Sequence, residues 1–125
     1  MIKFRDNIHK ERYYDMISNM QNRDSYHRAV AYLFSLDDRC YEHLSSIFDY
    51  SESRSGRIKP DTAYDGRWHN STSLKTLRLA YNLWNGCVES GEENLYSPTE
   101  IFRCDLAPYY MEAIKLRFPE YFRDD

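Results

Sequence analysis

The stretch "RWHNSTSLKTLRLAYNLWNG", from Arg67 to Gly86, sets a histidine, three consecutive hydroxyls, basic side chains and two tryptophans around one helix start. His69 and Ser71 supply a base and a hydroxyl, the two groups nucleophilic catalysis must hold in contact. No G-x-S-x-G elbow presents the serine, however. Asn70, Ser71 and Ser73 stand just ahead of an apolar run, where a side-chain oxygen accepts an otherwise unpaired N–H of the first turn. Capping is therefore the expected job of Ser71 or Ser73, with Asn70 able to act the same way in the loop.

Metal chemistry has little to build on. A zinc site needs three or four converging Cys, His or carboxylate ligands, normally announced by close pairs. His9, His27, His43 and His69 form neither H-x-x-x-H nor H-E-x-x-H. Cys40 and His43 are one turn apart, but Cys40 reads as core with His43 at its border. His9 falls among Tyr13, Met16 and Met20, where a hydrogen-bonded, partly buried ring is expected. Three cysteines, Cys40, Cys87 and Cys104, are an odd count at wide spacings and suit a reduced compartment. No metal and no cofactor is expected, and no phosphate-binding glycine loop occurs.

Two short patterns, "RDSYH" (Arg23 to His27) and "RCYEH" (Arg39 to His43), are similar to the Arg-x(4–6)-His signature of the all-α ribonucleases of bacterial toxin and defence systems. There the resemblance implies Arg and His acting on a scissile phosphate at a bundle dimer interface. This chain has only three intervening residues, and Asp24 would oppose a phosphate. Arg23 and His27 are the alternative catalytic pair; a ribonuclease ranks second and a nucleic-acid-binding role third.

Charge gives a different kind of site. From Arg54 to Arg78 six basic residues (Arg54, Arg57, Lys59, Arg67, Lys75, Arg78) face only Asp61 and Asp65, a local balance of +4 on a chain whose formal net charge is -3. Such asymmetry marks a surface suited to an acidic protein or a polyanion. Lys75, Arg78, Asn82 and Asn85 form a polar stripe that could also grip phosphates, with Trp68 as a stacking face. The acidity of the whole opposes non-specific DNA binding. The expected partner-binding residues are Arg54, Arg57, Lys59, Arg67, Trp68, His69, Lys75 and Arg78, and the expected partner is an acidic protein.

The elements that must position these groups read as helices. Hydrophobic content of 42% and aromatic content of 16% suffice for a core despite 30% charged residues, so disorder is excluded. Asp6 caps a helix over about 7–20; Asp24 or Ser25 caps "YHRAVAYLFSL", interrupted only by Arg28 and Ser35; Asp37 or Asp38 opens "RCYEHLSSIF". The pattern then stops from Tyr50 to about Asn70, a long polar loop with no supported strand. The helix from Ser73 to Trp84, closed by Gly86, has so narrow a polar stripe that it is expected at the centre of the fold. "SPTE" opens another helix and Pro108 the last, which Pro119 ends. One all-α domain spanning 1–125, a compact bundle of about five to six helices, is the expected architecture. Leu33, Phe34, Leu44, Phe48, Leu77, Ala80, Tyr81, Trp84, Phe102, Ile114 and Phe118 are its expected core.

"WHNSTSLKTLRLAYNLWNG", "SPTEIFRCDLAPYYMEAIKLRFPEY" and "YLFSLDDRCYEHLSSIFDY" together resemble an uncharacterised family of small proteins encoded in bacterial genomes, often in or near mobile elements. The likeness runs from Arg28 to Tyr121. No activity is established for that family, so it transfers no site residue; it implies accessory roles among host or defence machinery. With 12 tyrosines as low-entropy contact residues, the expected function is a non-enzymatic interaction protein or inhibitor. It is expected in the cytoplasm, with no secretory leader in "MIKFRDNIHK" and no membrane span. Its oligomeric state, a homodimer included, is left open.

Overall fold

A helix start is a local decision, because an oxygen three residues back satisfies an N–H that no helical carbonyl reaches. In the computed structural model, which describes residues 1–49 and 56–122, Asp6 accepts from the His9 N–H at 2.8 Å and opens α1 (Asn7–Ser18). Asp24 accepts from the His27 N–H at 3.1 Å for α2 (Ser25–Leu36). Asp37 accepts from the Cys40 N–H at 3.0 Å for α3 (Asp38–Glu42). At His43 the backbone leaves helical geometry and restarts as α4 (Leu44–Ile47), so the third helix expected from sequence is two short ones.

The expected long loop is only partly a loop. Strand β1 (Phe48–Asp49) pairs antiparallel with β2 (Arg57–Ile58), and Pro60 begins a single helical turn, α5 (Pro60–Ala63). Among the described residues this two-stranded ribbon is the whole sheet content, and the fold is all-α as expected. Helix α6 (Ser71–Asn85) follows and ends at Gly86, whose φ of 78° is a left-handed value that glycine tolerates without strain. A 3-10 turn (Glu93–Tyr96) leads to α7 (Pro98–Ile101), capped by Ser97. Helix α8 (Ala107–Arg117) and a 3-10 turn (Pro119–Tyr121) complete the described chain.

Helix α2, rather than α6, is the hub. It packs against α1, α6 and α8, and every residue from Ala29 to Leu36 is fully buried. Its buried hydroxyls are both satisfied, Ser35 Oγ donating to Tyr32 O at 3.0 Å and Tyr32 Oη to Lys3 O at 2.5 Å, so these polar groups cost little there. Each large apolar side chain buried this way contributes about 1.5–3 kcal/mol. Helix α6 keeps more of its surface: Leu77, Leu79, Ala80, Tyr81 and Leu83 are buried, while Trp84 is only half-buried. Leu44, Phe102, Ile114 and Phe118, also expected inside, pack on the margin of the core instead. Two buried hydroxyl links hold the layers: Thr76 Oγ1 and Tyr110 Oη lie 2.6 Å apart between α6 and α8, and Tyr81 Oη donates to Ile47 O at 2.6 Å. No helix among the described residues is long and apolar enough to cross a membrane.

Candidate functional site

The basic segment is fastened to α6 from beneath. The Lys59 N–H points at both Ile47 O (3.3 Å) and Tyr81 Oη (3.1 Å), so one buried tyrosine ties the ribbon to the helix. Burial is the chief reason the Tyr81 phenol is held well above its ordinary range. Ile58 turns its side chain into the core, and the flanking Arg57 is exposed. A Cβ at Gly56, which has φ 85°, would run into the Phe48 ring, so both its conformation and its surroundings require glycine.

At the start of α6 the sequence offered His69 with Ser71, and the structure joins His69 to Ser73. His69 Nε2 lies 2.7 Å from Ala63 O and must donate to it, because a carbonyl only accepts. Its Nδ1, 2.8 Å from Ser73 Oγ, is then the acceptor of the serine hydroxyl. Ser73 Oγ also accepts from the Asn70 N–H at 2.8 Å, while Asn70 Oδ1 accepts from the Ser73 N–H at 2.7 Å. This is a reciprocal capping box with Asn70 as the N-cap. Burial, opposed by the Ala63 hydrogen bond, holds His69 below the usual imidazole range and keeps it neutral. The pair has the hydrogen-bonding order of a base and nucleophile, but Ser73 is fully buried. No substrate reaches it, and its work is capping.

Trp68 is likewise fastened. Its indole stacks on His43 at 4.3 Å with planes 2° apart, and His69 lies 3.7 Å away. Its carbonyl accepts from Arg39 Nη1 at 2.6 Å, and it passes so close over Gly66 that a Cβ there would strike the ring. This resembles a staple across the turn more than a free anchor.

The expected cations divide into held and free. Arg54 lies outside the described residues. Lys75 Nζ donates to Arg103 O at 2.8 Å, and Lys59 Nζ to Ser45 O at 2.8 Å. Arg78 Nε meets Glu89 Oε1 at 2.6 Å with both side chains mostly covered, 16% and 17% exposed. Tyr96 Oη donates to the same carboxylate oxygen at 3.0 Å and lies 3.3 Å from Tyr64 Oη, which is 3.8 Å from Cys87 Sγ. Sequence reasoning missed this chain of polar contacts; the one signal for it was the acidic turn that follows α6. Arg57 and Arg67 are exposed, and their side chains have no hydrogen-bond or ion-pair partner among the described residues. A groove of about 470 Å³ runs between residues 57–62 and the Asn85–Cys87 end of α6, with Arg57, Lys59 and Asp61 at its walls.

Among the described residues the alternative chemistries find no assembled site. His27 is 2% exposed, its Nδ1 lies 2.6 Å from Asp24 Oδ1, and the Trp84 ring covers it at 4.8 Å. Arg23 sits on the surface with its Nε 3.5 Å from Met20 O. A general acid must reach the atom it protonates, and here the imidazole is covered by Trp84 and turned onto Asp24. Cys40 is buried with its thiol directed at Ser73 O (3.5 Å), while His43 turns outward onto Trp68, so the two share no ligand. No cluster of three or more metal-ligating side chains forms among the described residues.

The model of a family described as "Family of unknown function (DUF6075)" matches residues 1–125, and the chain belongs to that family. No curated protein and no solved structure matches it.

Proposed function

We propose that this DUF6075 member is an interaction protein, a cytoplasmic accessory factor of a bacterial mobile element that binds or inhibits an acidic host or defence protein. One observation carries the reading. Of the cations concentrated between residues 54 and 78, the structure consumes Lys75 and Arg78 internally and leaves Arg57 and Arg67 exposed and unpaired among the described residues, with Arg57 on the wall of a groove. Exposed, unpaired guanidinium groups are suited to carboxylates, which they bind in a bidentate fork. The buried states of Ser73 and His27 support a binding role over catalysis. The resemblance to proteins of mobile elements supports the accessory role.

The test is quantitative affinity purification from the host with wild-type bait and with an Arg57→Glu/Arg67→Glu bait. Recovery of one protein by wild type and its loss with the double variant is the expected result. Degradation of added RNA by purified wild type, abolished by His27→Ala, would overturn the proposal in favour of the nuclease. Equal recovery by both baits would remove the basic surface from it.

A further inference from the structure

Strand β2 is one residue short of being closed off. Antiparallel pairs alternate between positions that exchange backbone hydrogen bonds and positions that do not. Phe48 stands opposite Ile58 and Asp49 opposite Arg57, and the Lys59 N–H reaches Ile47 O one step along. Ile58 therefore holds the non-hydrogen-bonded position, and its own N–H and C=O face away from β1. Neither group has a partner among the described residues, although Ile58 is only 6% exposed. A backbone donor and acceptor left unpaired in so covered a place cost free energy until something pairs with them. The edge carrying them borders the groove that ends at Asn85 and Cys87.

We infer that this edge accepts an extended segment of a partner protein as an additional strand, and that the segment carries acidic side chains at alternate positions. The inference rests on the interaction reading above and specifies its mode. Side chains alternate along a strand, so with Ile58 directed into the core, Arg57 and Lys59 share the opposite face, about 7 Å apart. An added strand sets its own alternate residues at the same spacing, and Asp or Glu at two such positions meet both cations. Affinity then comes from backbone hydrogen bonds at Ile58, and choice of partner from the paired charges. A second copy of this chain is a poor occupant, because pairing β2 with itself sets Arg57 and Lys59 against their own like charges. The Lys59 ammonium is held by Ser45 O and Asp61 stands on the same groove, so Arg57 carries most of the attraction.

Titration of the isotope-labelled full chain with three capped hexapeptides tests this by amide chemical shifts. The first is Thr-Glu-Val-Glu-Val-Thr, the second has Lys in place of Glu, and the third is the acidic peptide N-methylated at alternate residues. The acidic peptide is expected to move the Ile58 amide downfield, with other changes confined to 56–62 and 85–87. The Lys peptide, the N-methylated peptide and the Arg57→Glu protein should each bind at least about tenfold more weakly. Equal binding of the plain and N-methylated acidic peptides overturns strand addition while leaving the basic surface as a docking site. Absence of shifts at Ile58 up to about millimolar acidic peptide also overturns it, and the double charge-reversal bait then decides the broader proposal separately.

Discussion

His9 sets the acid limit of the fold. It lies on α1 with no exposed surface, packed against the rings of Phe4 at 5.1 Å and Tyr32 at 4.6 Å. Nε2 donates to Tyr32 O at 3.0 Å, and Nδ1 accepts from the Arg5 N–H at 3.1 Å. Both nitrogens are satisfied only by the neutral ring, and a second proton would face the Arg5 N–H donor. Burial, with the nearby Arg5 and Arg12 charges, depresses the pKa from 6.5 to about 4, against the opposing pull of the Tyr32 hydrogen bond and Asp6. The unfolded chain therefore takes up this proton first. Stability is fully present above about pH 6.5, falls as pH drops, and has lost the whole His9 contribution below about 4. A shift of that size is worth about 3 kcal/mol, a large share of the 5–15 kcal/mol typical of a domain. His69, also depressed, adds in the same direction. Urea unfolding at pH 7, 6 and 5 measures the slope, and His9→Gln, which keeps a donor and an acceptor but cannot titrate, should flatten it. Parallel loss of stability in wild type and His9→Gln, or titration of the folded His9 ring near 6.5, would refute the reasoning.

Other substitutions follow from the same contacts. Trp84→Ala removes a half-buried ring that touches Tyr26, His27 and Phe48, and thermal unfolding should report a loss of about 3 kcal/mol, at the low end for tryptophan. Ser73→Ala takes away the oxygen shared by Asn70 and His69 and should cost about 1–2 kcal/mol, with His69 Nδ1 losing its hydrogen bond by NMR while Nε2 keeps its proton toward Ala63 O. Arg78→Ala strands the covered Glu89 carboxylate and should destabilise by about 1–2 kcal/mol in urea, whereas Arg57→Glu should stay within about 0.5 kcal/mol of wild type.

What the sequence disclosed was the chemistry that acts over three or four residues. Asp6, Asp24, Asp37 and Ser97 each cap the helix expected of them, because the accepting oxygen and the N–H lie within one turn. Gly86 ends α6 for the same local reason. The facts that failed to show are long-range. The acidic turn after α6 does not announce that Glu89, eleven residues on, meets Arg78, and the half-exposure of Trp84 depends on how α2 and β1 meet α6. Ribbon β1–β2 escaped notice because two-residue strands have too little length for alternation to register. For the candidate site this meant that the cluster of cations was legible, while its division into held and free residues came only from tertiary contacts. Trp68 illustrates the limit: its type and place before α6 suited a stacking face, while its stack on His43, a residue 25 positions away, is a tertiary contact that no local pattern encodes.

The central claim is that Arg57 and Arg67 hold an acidic partner protein. Its most direct measurement is the dissociation constant of the recovered partner for wild type and for Arg57→Glu/Arg67→Glu, each taken across salt from about 50 to 500 mM, where the screening length falls from roughly 14 to 4 Å. Wild-type affinity should weaken steadily with salt, and the double variant should bind at least about tenfold more weakly at low salt with little further change. Equal constants for the two proteins, unchanged across salt, would contradict the account.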